Sequence, residues 1–240
     1  SSCEAFEKET GLQAISGGLE NYLVHDNKID SAIIAVSEDQ LSNCLDLLIN
    51  HGVKRILIEK PGGTNYQSII QSATLASEKN ADVFVGYNRR FYQSVRYARE
   101  LIKEDGGVSS FFFEFTEWSD IVSKLNTPEQ IKKLWFLHNS THVVDLAFFL
   151  AGFPDEISCE RKGSLPWHPS GSSYSGSGKT QAGALFTYLA DWDAPGRWGL
   201  EILTKKRRLI LRPLEELYCQ FRGSVAIEQV EINNSLDLDY

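Results

Sequence analysis

A lysine stands directly after a short apolar run in the segment Arg55 to Gly63, RILIEKPGG. Ile56, Leu57 and Ile58 are apolar and mostly β-branched, which predicts a buried strand of a parallel sheet. Because ligands bind beyond the carboxyl ends of the strands in an open parallel sheet, we expect Lys60 to lie at a binding or active site. The alternative is an ordinary strand-to-helix loop with a solvated lysine.

Two histidines and an aspartate form a second candidate group, in the segment HNSTHVVD. On a helix, His138 and His142 are four residues apart and Asp145 follows three residues later, so all three side chains share one face. A histidine can serve as a general acid or base near neutral pH, and a carboxylate can fix its orientation. Two alternatives remain open: a helix cap with a hydrogen-bonded core histidine, or a metal site, since histidines at this spacing can share an ion.

Short apolar runs alternate with amphipathic segments in the first part of the chain. This alternation predicts parallel strands joined by right-handed helical crossovers. We therefore expect residues 1–88 to form a doubly wound, Rossmann-like dinucleotide-binding domain that lacks its first strand and Gly-rich loop. The predicted helices are Cys3–Thr10, Leu19–Asn27, Leu41–Asn50 and Asn65–Lys79, and the predicted strands are Ser31–Val36, Arg55–Ile58 and Ala81–Gly86.

The pattern changes after residue 88. Residues 89–240 are predicted to form an α+β domain with a large, mostly antiparallel sheet that binds substrate and supports a homodimer or homotetramer, since the strands outnumber the helices available to cover them. Gly163–Thr180 is rich in Ser and Gly, which predicts a mobile loop. The predicted helices are Tyr92–Lys103, Pro128–Leu137 and His142–Leu150, and the predicted strands are Val108–Trp118, Glu156–Lys162, Ala182–Ala190, Trp198–Thr204, Arg207–Leu211, Glu216–Arg222 and Ala226–Ile232.

Composition narrows the class of protein. The chain has 240 residues, 42% of them hydrophobic, and a net charge of −8, which argues against a nucleic-acid or membrane-surface partner. No apolar run approaches the roughly 20 residues that cross a bilayer. The four cysteines form no CxxC pair, which favours reduced thiols in a cytoplasmic protein.

Three motifs together resemble the Gfo/Idh/MocA family of NAD(P)-dependent oxidoreductases: EKP at 59–61, VGYNRRF at 85–91 and HNSTHVVDLAFFLAG at 138–152. The resemblance implies hydride transfer between NAD or NADP and a sugar, nucleotide sugar or polyol. It implies that Lys60 lies between nicotinamide and substrate, that His142 transfers the proton, and that Asp145 is the acidic residue one turn later. His138 stands where sugar dehydrogenases of the family often have Asp. The residues that the resemblance assigns to the cofactor are Val36, Ser37, Glu59, Lys60, Pro61, Asn88 and Arg89.

The chemistry of Lys60 and His142 fits this resemblance. When a carbinol loses a hydride, its hydroxyl proton must also leave; His142 would accept that proton, and Lys60 would stabilise the charge on the oxygen. Asn88 and Arg89 are expected to face the same cleft. The alternative, equally compatible with the sequence, is that Arg89 and Arg90 form salt bridges at the surface.

Other interpretations stay open. No GxGxxG follows a strand in this sequence, so a catalytically silent binding or regulatory protein is the main alternative, and a metal-dependent hydrolase is a weaker one. A phosphate-binding P-loop at Gly178-Lys179-Thr180 is disfavoured, because its earlier glycine is replaced by Ser173 and the following residues alternate like a strand. The basic run at 203–209 is predicted to be a solvated face.

Overall fold

The computed structural model describes residues 2–25 and 28–232, and the chain divides into two compact units, Ser1–Gly86 and Tyr87–Tyr240. The first unit contains a three-stranded sheet in the order β1 (Ser31–Ile34), β2 (Arg55–Ile58), β3 (Asp82–Val85), with every pair parallel. The predicted parallel arrangement of this region is thereby confirmed. Its helices are α1 (Ser2–Thr10), α2 (Gly18–Val24), α3 (Leu41–His51) and α4 (Tyr66–Lys79).

Two features of these helices bear on the predictions. The predicted helix Leu19–Asn27 corresponds to α2, which ends at Val24; Asn27 lies outside the described residues. In residues 2–25 and 28–232, no helix is long and apolar enough to cross a membrane; α4, for example, has 14 residues.

One face of this sheet carries the core of the first unit. Ile56 and Ile58 are buried against the leucines of α3, whereas Ile33 is 77%, Leu57 42% and Phe84 61% exposed. Ile33, Leu57 and Phe84 are direct neighbours across the three strands. The prediction of a fully buried strand is therefore wrong for Leu57, because alternate side chains of a strand point to opposite faces and the described helices cover only one.

The second unit is built on an eight-stranded sheet in the order β11-β10-β9-β8-β4-β7-β6-β5. Only the β4–β7 pair is parallel, which confirms the predicted mostly antiparallel sheet. The strands are β4 (Ser110–Glu114), β5 (Pro154–Lys162), β6 (Ser173–Thr180), β7 (Leu185–Asp191), β8 (Gly199–Leu203), β9 (Arg207–Leu211), β10 (Tyr218–Phe221) and β11 (Glu228–Gln229). The helices are α5 (Gln93–Glu104), α6 (Ser119–Val122), α7 (Glu129–Lys132) and α8 (Thr141–Ala151), with a π-helical segment at Phe136–Ser140.

Aromatic side chains join α8 to this sheet. Phe111 of β4 and Phe186 of β7 are paired neighbours, and their rings are stacked with centroids 5.2 Å apart. Phe148 of α8 meets the Phe186 ring edge-on at 5.1 Å. On the opposite face of β7, Leu185 and Leu189 are exposed, and the homo-oligomer expected on such a surface stays a prediction.

Strand β6 overturns one prediction, since it occupies the second half of the segment Gly163–Thr180 that we expected to be a mobile loop. It pairs antiparallel with both β5 and β7. Its small residues have a packing role: a Cβ on Gly176 would overlap the Tyr188 ring, and one on Gly178 would lie 2.6 Å from the Phe186 ring. Composition alone indicated a loop, but the glycines leave room for the large side chains of the adjacent strand.

Adding one methyl group at Gly178 is expected to destabilise the second unit. The Cβ would overlap the backbone oxygen of Glu156, which cannot rotate away, so the Gly178→Ala variant should lose about 1–3 kcal/mol. The midpoint of urea unfolding measures this loss. The control is Ser177→Ala at the exposed neighbouring position, expected to change stability by less than about 0.5 kcal/mol. Equal midpoints for the two variants would contradict this account of the strand.

Candidate active site

The first group of predicted site residues lies just past the carboxyl end of β2. Glu59 continues the pairing with β1, because its backbone N–H donates to the carbonyl of Ile34 at 3.0 Å. The Glu59 carboxylate then accepts the backbone N–H of Lys60 at 3.2 Å. Lys60 is half-buried, and Pro61 behind it is buried. This arrangement fixes the backbone of Lys60 at the edge of the sheet where its position in the sequence led us to expect it.

The loop after β1 lies beside the loop after β2. The Thr64 hydroxyl donates to the carbonyl of Glu38 at 3.5 Å, which links the two loops. Val36 is 42% exposed, and Ser37 begins a short 3-10 turn at Glu38–Gln40. A hydrogen bond from Ser37 holds the pKa of the Asp39 carboxyl below its ordinary value. The first-unit residues assigned to the cofactor therefore lie on two adjacent loops.

His142 lies in the first turn of α8 in the second unit, and its side chain is buried. Two aromatic rings flank it. The Tyr87 ring is perpendicular to the imidazole with centroids 5.9 Å apart, and the Trp198 ring lies at the same distance on a tilted plane. Burial raises the pKa of Tyr87, which keeps its phenol neutral. The imidazole is therefore held in an aromatic setting rather than on an exposed helix face.

Asp145 is bound by Arg90. The Arg90 guanidinium donates to both carboxylate oxygens of Asp145, from Nε at 2.7 Å and from one terminal nitrogen. This bond raises the pKa of Arg90, whose guanidinium also lies 4.9 Å from the Phe149 ring centroid. The side chains of Arg90 and Asp145 are 34% and 14% exposed, so the pair is more than a surface contact. Its bidentate geometry ties α8 to the segment that follows Tyr87.

The helix geometry differs from the prediction at His138. Phe136–Ser140 is π-helical, and the backbone N–H of Thr141 bonds to the carbonyl of Phe136 rather than to a residue four positions back. The α-helical spacing that we expected from 138 to 145 is therefore wrong at its beginning, because the widened turn interrupts it. His138 is buried within this turn, with 2% of its surface exposed.

Asn88 and Arg89 follow Tyr87 in a short 3-10 turn. The Arg89 guanidinium lies 4.9 Å from the centroid of the Trp198 ring, and burial lowers its pKa. Among the residues described, the buried Oδ1 of Asn88 and Nε of Arg89 have no hydrogen-bond partner. Such atoms are costly unless a ligand or water satisfies them, so this turn is suited to receive a polar group.

The two alternative ligand sites find little support. Among residues 2–25 and 28–232, no three His, Cys, Asp or Glu side chains are grouped so as to hold a metal ion, and Asp145 is bound to Arg90. Gly178, Lys179 and Thr180 lie within β6 and do not open a helix, as a P-loop requires.

Comparison with known proteins places the fold. No family model matches the chain. An uncharacterized oxidoreductase of Streptococcus pneumoniae serotype 4 (strain ATCC BAA-334 / TIGR4) is 24% identical over 162 residues, covering 65% of this chain. The chain spans only 43% of that relative's length. At this level of sequence identity, the fold is identified from solved structures.

Solved structures of dehydrogenases share both units. A levoglucosan dehydrogenase in complex with NADH and levoglucosan superposes with a TM-score of 0.77 at 18% identity, covering 97% of this chain and 68% of its own. UDP-N-acetylglucosamine 3-dehydrogenase GnnA from Acidithiobacillus ferrooxidans gives 0.72 at 15% identity, covering 96% and 71%. The chain has the same fold as these dehydrogenases, as its resemblance to the Gfo/Idh/MocA family implies. A dehydrogenase (MviM) from Clostridium difficile shares this fold as well, with a TM-score of 0.72 at 19% identity over 95% of this chain and 70% of its own.

Within this fold, the structure adds three residues that the sequence did not single out: Tyr87, Trp198 and Glu117. Tyr87 and Trp198 flank His142, and Glu117 is a buried carboxylate bonded to Trp198. Of these three, only Glu117 could have been selected from the sequence. It is a charged residue inside the aromatic run FFFEFTEW, and a charged residue that is buried is expected to be paired.

Proposed function

We propose that this chain acts as an NAD(P)-dependent oxidoreductase that transfers a hydride between the nicotinamide and a sugar, nucleotide-sugar or polyol carbinol or carbonyl. The observation that carries the proposal is the combination of a dehydrogenase fold with Lys60 at the carboxyl end of β2 and a buried His142 on α8. A buried imidazole can transfer the proton, and a lysine ammonium can stabilise the charge on the oxygen, in the reversible oxidation of an alcohol.

The residues present fit a nicotinamide cofactor. The unsatisfied Oδ1 of Asn88 and Nε of Arg89 are polar atoms suited to a ligand with many donors and acceptors. When bound, the nicotinamide would supply the hydride chemistry. The residues proposed to hold it are Val36, Ser37, Glu59, Lys60, Pro61, Asn88 and Arg89.

The protein's own groups would handle the proton and the charge. The His142 imidazole would accept the proton of the substrate hydroxyl during oxidation and return it during reduction. The Lys60 ammonium would donate a hydrogen bond to the same oxygen and stabilise its developing negative charge. Arg90 and Asp145 would keep α8, and with it His142, in a fixed position.

Cofactor binding is the first test. Titration of the protein with NADH and with NADPH, followed by nicotinamide and tryptophan fluorescence, should give saturable binding of at least one of them with a Kd of about 1 μM to 1 mM. Excess oxidised cofactor should compete for the same site. Lack of saturable binding for both would overturn the proposal. A bound cofactor then allows sugars, polyols and nucleotide sugars to be screened by the absorbance of the reduced nicotinamide.

A catalytically silent binding or regulatory protein is the second candidate. It is favoured by His138, which stands where sugar dehydrogenases of the family that the chain resembles often carry Asp. Hydride transfer with any sugar in the screen would exclude it, whereas binding of a sugar without turnover, at every cofactor concentration tested, would favour it.

A further inference from the structure

A buried carboxylate outside the predicted site has an unusually full set of donors. Glu117 lies three residues beyond β4, and its side chain is 1% exposed. Its oxygens accept hydrogen bonds from the Ser140 hydroxyl at 2.8 Å, the Asn139 amide at 3.1 Å, the Trp198 indole N–H at 3.1 Å and the Arg197 guanidinium at 3.1 Å. Burial raises the pKa of this carboxyl, and the donors oppose that effect. This number of partners indicates that the surrounding elements are arranged around the Glu117 carboxylate.

Two of these donors form the end of the π-helical turn. Asn139 and Ser140 directly precede α8, and Ser140 is fully buried. Both side chains reach the same carboxylate, which successive residues of a regular α-helix, about 100° apart, are poorly placed to do. Glu117 thereby stabilises the widened turn that ends two residues before His142.

The third donor is the ring that flanks His142. The Trp198 indole gives its N–H to Glu117, and the guanidinium groups of Arg89 and Arg197 lie 4.9 and 4.4 Å from its ring centroid. Cations over an indole ring and a carboxylate at its N–H are each favourable, so the ring is held in one position. That ring lies 5.9 Å from the imidazole of His142.

We propose that Glu117 is a positioning residue for His142. It acts through the Trp198 indole beside the imidazole and through the Asn139–Ser140 turn at the start of α8. The effect of Glu117 on catalysis rests on the proposed function, but its effect on the position of the His142 imidazole does not. A simple ion pair with Arg197 would not account for the geometry, because Arg197 is 42% exposed whereas the neutral donor Ser140 is fully buried.

Glu117→Gln tests the proposal, since it keeps the shape of the side chain but removes its charge and one acceptor oxygen. NMR of the protein would follow the Trp198 indole N–H and the ring C–H resonances of His142, assigned with Trp198→Phe and His142→Asn. Both sets are expected to shift in E117Q. The control is Asp105→Asn, which changes another buried carboxylate of this unit, bonded to Thr204 and Arg207, and should leave both sets unchanged.

A shift of the Trp198 N–H with unchanged His142 resonances would overturn the proposal and leave Glu117 a structural group. If E117Q does not fold, Ser140→Ala removes only the 2.8 Å bond and must still shift the His142 resonances. Its control is Ser123→Ala, which removes an exposed hydroxyl that donates to the carbonyl of Asp120. No shift in S140A beyond that in S123A would also overturn the proposal.

Kinetics supply a second readout once a substrate is known. E117Q is expected to lower kcat about 10- to 100-fold with little change in KM, because a displaced proton acceptor slows chemistry more than binding. Equal losses in E117Q and D105N would overturn the positioning role. The NMR experiment uses neither cofactor nor substrate, so its failure counts against Glu117 alone, whereas the lack of turnover in the unmodified protein counts against the proposed function.

Discussion

Lys60→Ala is expected to lower turnover about 100- to 1,000-fold while the protein stays folded, because the variant removes a preorganised donor to the oxygen on which charge develops. Lys60 is half-buried just beyond β2, and its backbone is held by the Glu59 carboxylate, so the ammonium starts from a fixed point. The side chain lies outside both hydrophobic cores, which is why the loss should fall on catalysis rather than on folding. Initial rates with the substrate found by screening measure the effect.

The matched control is Lys54→Ala, at the other end of the same strand. Lys54 is exposed, and its ammonium donates to the carbonyl of Lys79 at 2.6 Å. This variant should keep full turnover, and urea unfolding of both variants shows whether either has lost stability. Turnover in K60A equal to that in K54A would remove Lys60 from the proposed chemistry.

His142→Asn is expected to lower turnover by about 100- to 10,000-fold, the usual contribution of a positioned general acid or base. Asparagine fills most of the space of the imidazole between the Tyr87 and Trp198 rings but cannot take up a proton at neutral pH. The part of the pH–rate profile that depends on imidazole protonation should therefore disappear, and the rate of the variant should vary little with pH. Rate measurements across a pH series, at saturating substrate, check both expectations.

His168→Asn separates catalysis from stability. His168 is also buried among aromatic rings, with its centroid 4.7 Å from that of Trp192, and its ring nitrogen lies 2.9 Å from the Gly171 carbonyl. Burial lowers the pKa of His168, which keeps this imidazole neutral and structural. H168N should lower the unfolding midpoint without removing the pH dependence of turnover. If H142N behaves in the same way as H168N, His142 is a core residue and the proposed proton transfer is wrong.

Much of the architecture follows from local sequence. The runs SAII, RILI and DVFV are mostly apolar and rich in β-branched residues, and the helical segments between them have apolar residues at a spacing of three to four. That pattern was enough to predict a parallel sheet, the helix that carries His142 and the place of Lys60 beyond a strand. These features depend on neighbours within a few positions, which is the information that a single sequence carries.

Other features are decided by contacts between distant segments. Strand β6 has a loop-like composition, and it is a strand because the side chains of Phe186 and Tyr188 occupy the space that its glycines leave. Arg90 binds Asp145 across 55 positions of the chain, and Trp198 binds Glu117 across 81. The sequence by itself thus determined which residues could do chemistry and which elements carry them. Only the tertiary structure decided their partners, because strand order and the π-helical turn bring together side chains that no local spacing relates.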